Sequence, residues 1–283
     1  MTDMPIPRRL HVGSVPPGVA LSMLWLLAAV LTIVLAPFLP IPAPDKLDLL
    51  ARLNPPVGLG GVPVHPLGTD DLGRDILARL IAAMRTSLLL AFFATILSAV
   101  LGTLLGILAA HFGGWVDQAV VGAVDAQASV PFVIVSLTLT AFFGNHLMLF
   151  LFILSLFGWE RFARLSRAMT LVARGRGYVL AMSTLGFSWP RIYLRHVLPN
   201  IASSLLVTAT INFPEVILLE TSLSFLGLGI QPPMSSLGSM VGLGRNYLTT
   251  AWWIAAMPAA AIFLSTLAVS LIGDWARARI SRS

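Results

Sequence analysis

The sequence predicts an all-α membrane protein with six transmembrane helices and a cytoplasmic helical loop, and three observations carry that expectation. Of its 283 residues, 57% are hydrophobic and 11% charged, and mean hydropathy is +0.88, a balance that belongs to integral membrane proteins. Six apolar runs, taken with their flanks, can cross about 30 Å of hydrocarbon, which asks for about 20 helical residues each. Arg161, Arg164, Arg167, Arg174, Arg176, Arg191 and Arg195 crowd between the fourth and fifth runs. Arginines beside membrane spans stay on the cytoplasmic side.

In chain order, residues 1–17 form a cytoplasmic tail with Arg8 and Arg9, and 18–38 the first span. That run is too long for a secretory signal, and Pro37, Pro40, Pro42 and Pro44 follow it without a small-residue cleavage site. It reads as a retained anchor. Residues 39–85 are an outer loop, irregular and rich in Pro and Gly as far as Pro66. A turn and an amphipathic helix follow over 65–83, with Thr69 or Asp70 as the N-cap. The membrane domain covers 86–273. Its runs lie at 86–111, 119–143, 146–159 with flanks, 201–220 and 251–273, and 274–283 is the closing tail. Gly102 and Gly106 in the second run have the spacing that lets another helix approach closely. The fourth run is the shortest and sets Trp159, Glu160 and Arg161 at the interface.

The segment 221–250 carries Gly227, Gly229, Pro232, Pro233, Gly238, Gly242 and Gly244 among apolar residues. Irregular backbone at membrane depth survives where protein buries it or where it lines a cavity, so a pathway mouth is expected there. Six spans put both termini on one side. Arg8, Arg9, the central cluster, Arg277, Arg279 and Arg282 place that side in the cytoplasm, against Lys46, Arg52, Arg74, Arg79, Arg85 and Arg245 outside. The formal charge of +6 then reflects topology and anionic lipid headgroups, not a nucleic-acid partner.

Within the central loop, 160–200, residues 178–185 read as a short amphipathic helix. Gly186 can stop it in a left-handed conformation, and Ser188 with Pro190 starts the next helix. Chemistry is otherwise sparse. There is no G-x-x-x-x-G-K-[ST] loop, no pair of histidines at metal-ligand spacing, no G-x-S-x-G and no cysteine. No catalytic residue, metal site or cofactor site is therefore expected in this chain. Asp125 in the third run, and Glu215 and Glu220 toward the outer end of the fifth, are the acids in or beside spans. Such residues are proton or sodium sites in a self-sufficient carrier, or structural groups that meet an arginine or cap a broken helix. The structural reading is favoured.

Three blocks carry a resemblance that extends over nearly the whole chain after the first span. H-P-L-G-T-D-D-L-G-R-D occupies 65–75 and continues through Arg85, Thr86, Ser87 and Leu88 to Gly113, Gly114, Trp115 and Asp117. Y-V-L-A-M-S-T-L-G at 178–186 precedes R-H-V-L-P-N at 195–200. E-T-S-L-S-F-L-G-L-G-I-Q-P-P at 220–233 precedes Ala251, Trp252, Trp253, Gly273, Asp274 and Arg277. The chain resembles the inner-membrane permease subunits of bacterial ATP-binding-cassette importers, in particular the second permease of the dipeptide, oligopeptide and nickel group.

That resemblance implies the type I importer permease fold and a coupling helix, E-A-A-x-x-x-G in the family, that docks in a groove of an ATPase subunit. Ala181 and Gly186 match the element, whereas Leu180 replaces the glutamate and Met182 the second alanine. Tyr178, Ala181, Met182, Leu185, Gly186 and Pro199 are the expected coupling residues. The implied partners are a second homologous permease subunit, two ATPase subunits that bind ATP and magnesium, an extracytoplasmic substrate-binding protein and membrane lipid. A di- or oligopeptide is the expected solute, with nickel or another small solute as the alternative. A proton- or sodium-coupled carrier and a purely structural membrane subunit are the rivals from other classes. Neither accounts for a glycine-hinged helix pair on the inner face.

Overall fold

The computed structural model describes residues 15–38 and 40–280. Arg8, Arg9 and Arg282 lie outside the described residues, as do the side chains of Tyr178 and Leu180. Among the described residues every regular element is helical. Helix α1, Pro17–Leu35, opens on a proline, where the missing N–H would have had no helical partner. Val19, Ser22 and Ala29 turn inward, and Trp25 Nε1 donates to Ser265 Oγ at 3.3 Å, holding α1 against the last helix.

Helix α2 runs unbroken over Ile76–Phe112. At 1.5 Å per residue its 37 residues span about 55 Å, far more than the hydrocarbon layer. The amphipathic helix expected over 65–83 is therefore not a separate element, since its second half is the outer end of α2. Its N-cap is Asp75, whose Oδ1 accepts from Ala78 N at 2.7 Å, not Thr69 or Asp70. Those two side chains are already engaged upstream: Thr69 Oγ1 accepts from Asn54 N at 2.8 Å, and Asp70 accepts from the backbone of Leu72 and Arg74 at 2.9 Å each.

The third run is broken into α3, Gly114–Ser129, and α4, Phe132–Phe143, which meet at 94°. Pro131 causes the break, because it lacks an N–H and drives Val130 out of the helical region to φ −106°, ψ 129°. The fourth run is also in two pieces: α5, Leu147–Ser155, and α6, Trp159–Arg174. Between them Gly158 sits at φ +86°. The arginine-bearing stretch expected to be loop from residue 160 is thus helical to Arg174.

Both pieces run alongside α2 in the same direction. Ser98 Oγ donates to the carbonyls of Ser155 and Phe157 at 2.7 and 2.9 Å, and Arg174 lies at Ala110. Gly102 and Gly106 let α6 in. A Cβ at the first would sit 2.1 Å from Trp159 O, and one at the second 2.1 Å from Ser166 Oγ.

Short helices α7, Gly177–Thr184, and α8, Trp189–Ile192, follow. A π-helical turn, Tyr193–Val197, joins α8 to α9, Leu198–Phe225. Helices α10, Leu237–Gly244, and α11, Trp253–Ile280, close the chain. Among the described residues, four segments are singly long and apolar enough to cross a membrane, and five if the bent α3–α4 pair counts as one span. The α5–α6 segment runs beside α2 but is too polar in its second half to count as a span by hydropathy. Of the six continuous spans expected, four are continuous among the described residues, the third is bent at Pro131 and the fourth is split at Gly158.

The core gathers Leu90, Ala91 and Ala94 of α2, Ile153 and Leu154 of α5, Ile217 of α9, Leu237 of α10 and Ile262 of α11. Small side chains on α2 bring α5, α9 and α10 to it at close range. Gly106→Val should lower the melting temperature of the detergent-purified protein, an overpacking cost of about 1–3 kcal/mol. Gly122→Ala, whose new Cβ meets nothing within 4 Å, should keep it or raise it slightly, because alanine favours a helix interior over glycine. Equal melting curves for the two variants would count against the close α2–α6 contact.

Candidate functional site

At the end of α2 marked by His111, α7 and α8 form a helix pair around Gly186. The glycine has φ +81°, and a Cβ there would meet open space. The requirement is conformational, since only glycine takes that backbone readily. Ser188 is the N-cap of α8 by backbone, with Pro190 in the first turn, although its side chain makes no capping bond.

The expected coupling residues divide between two sides. Leu185, 74% exposed, and Ala181 face outward, and Pro199 is exposed in the first turn of α9. Met182 instead packs against the buried cluster that holds Val179, Ile192 and Tyr193, to which α7 contributes the buried Val179. The Val179–Met182 spacing of three is the signal in the sequence that would have shown this.

The pair is fastened to α2. The Arg174 guanidinium donates to Ala110 O, and to His111 O at 3.1 Å, supplying a cation to carbonyls that the helix end leaves free. The same group lies 5.7 Å from the Trp189 ring centroid. Trp189 stacks on Tyr193, whose hydroxyl shares a 2.9 Å hydrogen bond with His111 Nδ1. Through the π turn α8 is continuous with α9, so the helix pair is joined to two membrane helices at once.

Helix α6 carries Arg161, Arg164 and Arg167 at intervals of three, which puts them on one face. Arg161 Nη1 meets Glu215 of α9 at 2.5 Å, and Arg164 Nη2 meets Asp125 of α3 at 3.1 Å. Arg167 grips Asp117 of α3 with two nitrogens, Nη2 at 2.6 Å. Asp125 and Glu215 therefore each have an arginine partner, and they are brought to different neighbours of α6, not to a common site.

Glu220 is different. It is fully buried and is met by hydroxyls, not by a cation. Ser87 Oγ of α2 donates to Oε2 at 3.0 Å, and Ser224 Oγ, one turn on in α9, donates to Oε1 at 2.7 Å. Ser87 accepts from Leu237 N at 3.0 Å. Ser224 accepts from Ser236 Oγ at 3.2 Å, which accepts from Ser239 N, also at 3.2 Å. Two relays thus run from backbone N–H groups in the first turn of α10 to one carboxylate, tying α2, α9 and α10 together. Glu220 and Ser224 stand four apart on one helix, a pairing legible in sequence; Ser87 and Ser236 come from distant segments and were missed.

On the outer side, the segment expected to form a mouth folds back along α9. Gly238 and Gly244 permit this, since a Cβ would lie 2.6 Å from Thr221 Cα and from Ala255 N respectively. The 65–75 segment forms a polar platform beside it. Asp70 holds Arg74 Nε at 2.6 Å and also Arg79. His65 Nδ1 lies 2.8 Å from Asp75. Trp253 Nε1 donates to Thr69 O at 3.2 Å, and Tyr247 donates to Asp71 at the same distance.

The family described as binding-protein-dependent transport system inner membrane component matches residues 102–283. A protein of Brucella suis named for a peptide transport system permease is 39% identical over 91% of this chain and 85% of its own. The di/tripeptide transport system permease protein DppC of Pseudomonas aeruginosa is 34% identical, over 90% and 85%. The oligopeptide transport system permease protein OppC of Mycobacterium tuberculosis is 37% identical, over 82% and 79%. Among solved structures, an inward-facing MetNI methionine ABC transporter chain superposes with a TM-score of 0.56 at 19% identity, covering 72% of this chain and 97% of that one. The importer permease fold is shared.

The two kinds of acid predict different sensitivities. Glu220→Ala strands two buried serine donors and should cost about 1–3 kcal/mol, whereas Glu220→Gln keeps an acceptor and should cost less. Asp125→Asn breaks a pair exposed by more than half on both sides and should cost about 0.2–1 kcal/mol. Thermal unfolding of the three variants in one detergent measures the order. An Asp125→Asn loss equal to that of Glu220→Ala would reverse the assignment.

Proposed function

The chain belongs to the family of binding-protein-dependent transport system inner membrane components, and from that premise we propose that it forms half of a translocation pore importing di- or oligopeptides. A second permease completes the pore, and of the two ATPase subunits one docks at α7–α8. An extracytoplasmic binding protein delivers the solute to the outer platform. ATP and magnesium belong to the ATPase subunits. Both termini lie in the cytoplasm of a bacterial cell, on the side of Arg174, Arg191 and Arg195.

The observation that carries this reading is the attachment of the Gly186 helix pair to α2 through Arg174 and to α9 through the π turn. A push on α7–α8 reaches both helices at their inner ends. At their outer ends the same two helices meet α10 at Glu220, so displacement of the pair tilts the elements that frame the mouth. The chain supplies a body with two positions and no chemistry of its own. Peptide as the solute rests on the relatives' names, and nickel complexes and other small solutes share the mechanism. A gradient-driven carrier is disfavoured because Asp125 and Glu215 are neutralised by arginines and Glu220 is enclosed by serines.

Gly186→Arg should insert normally yet lower transport and substrate-stimulated ATPase activity of the assembled complex together, since the new side chain fits in space but not at φ +81°. Arg174→Ala should give the same joint loss. Leu180→Glu, which restores the family residue, should be neutral or strengthen ATPase retention in pull-downs at equal membrane abundance. Normal coupled transport in both Gly186→Arg and Arg174→Ala would sink this mechanism. Uptake by the chain alone under a proton or sodium gradient would transfer the case to the carrier.

Orientation has its own test, on a chain without native cysteine. Leu50→Cys, at a fully exposed position of the outer loop, should react with an impermeant thiol reagent in intact cells. Leu185→Cys, also exposed, should react only after permeabilisation. The opposite pattern would invert the topology.

A further inference from the structure

On the outer half of α2 lies a crevice of about 830 Å³. Its walls are the end of α1, loop residues 41–45, the start of α5 and the 233–235 turn. Its chemistry is graded along α2. The outer end is polar, with Asp45, Arg74, Arg79 and Ser235. Arg85 comes next, and beyond it the lining is Leu89, Phe93, Ile33 and Leu151. Eight residues separate Arg85 from Phe93, about 12 Å of helix.

The cations are not equivalent. Arg74 and Arg79 are both held by Asp70. Arg85 is exposed, and no described residue lies within hydrogen-bonding or ion-pair distance of its side chain. The apolar end is likewise unfilled: Leu89 and Phe93 are 45 and 49% exposed.

We propose that this crevice binds one anionic phospholipid of the outer leaflet, with its phosphate on Arg85 and an acyl chain along Leu89 and Phe93. The guanidinium suits a phosphate through paired N–H donors. The gradient from charge to hydrocarbon over a few turns of a membrane helix is that of a lipid in its leaflet. A peptide fits less well. Past Arg85, Thr86 is the one polar side chain among the described lining residues, and its hydroxyl is already given to Ala82 O at 3.0 Å, so peptide amides there would be buried without partners. The site is independent of which solute the importer carries.

The test is photolabelling of the assembled complex in mild detergent with phosphatidylglycerol bearing a diazirine in its acyl chain. Adducts should map to the α2 segment around 89–93 and the α5 segment around 147–151. Arg85→Gln should reduce labelling about tenfold, as loss of a charge-assisted bond implies, while Arg85→Lys should retain most of it. Equal labelling of the wild type and Arg85→Gln would overturn the site, as would adducts confined elsewhere. Equal labelling by the phosphatidylcholine analogue would remove the role of net charge. Displacement of the probe by excess peptide, but not by unlabelled phosphatidylglycerol, would assign the crevice to the transported solute instead.

Discussion

A bilayer offers no water to the groups it encloses, so every charge and every free backbone group that this chain carries inward must be met by another part of the same chain. Helix α6 illustrates how far that constraint shapes the fold. Its arginines are met by Glu215 of α9, by Asp125 and Asp117 of α3, and by two carbonyls at the end of α2. Meeting those needs fixes where three neighbouring helices stand. Glu220 answers the same constraint in the opposite way, with hydroxyls in place of cations, and fixes α2, α9 and α10 at the other end of the bundle.

Close packing makes those polar contacts reachable. Gly102 and Gly106 bring α6 against α2, and only at that distance can Arg174 reach the carbonyls of Ala110 and His111. Gly238 and Gly244 do the same for α10 against α9 and α11, which places its N-terminus near Ser87. In water a helix pair gains from burying any apolar face. Between helices already in lipid the gain comes from close contact and hydrogen bonds, so small residues and serines carry the specificity.

The same physics explains what could be read from the sequence. The Gly102–Gly106 contact, the left-handed Gly186 and the start of α8 at Ser188 depend on local residue chemistry, and each was visible. The length of α2 and the inner half of the fourth passage were not, because hydropathy scores a segment by its own residues. The α6 arginines look like loop until their acids, 39 to 54 positions away, are placed beside them. Asp70 has the chemistry of a cap, but the contacts made to it from within its own loop leave that place to Asp75, which the sequence did not single out. Of the acids singled out, the pairings of Asp125 and Glu215 and the serine cage of Glu220 all needed the third dimension.

The π turn at Tyr193–Val197, closed by Leu198 N bonding back to Tyr193 O, carries one residue more than an α-helical turn would spend. A single residue advances an α-helix by about 100°, so everything after the turn is rotated by that angle relative to a straight continuation of α8. The face of α8 that leans on the end of α2 and the face of α9 that presents Glu220 to Ser87 are thus set in phase by one surplus residue, some 25 positions before the carboxylate. The chain behaves here like a shaft with a keyed joint. Removing one residue from the joint would leave both helices intact and turn Glu220 away from its serines, so length within 193–197 constrains this protein as tightly as residue identity does anywhere in its core.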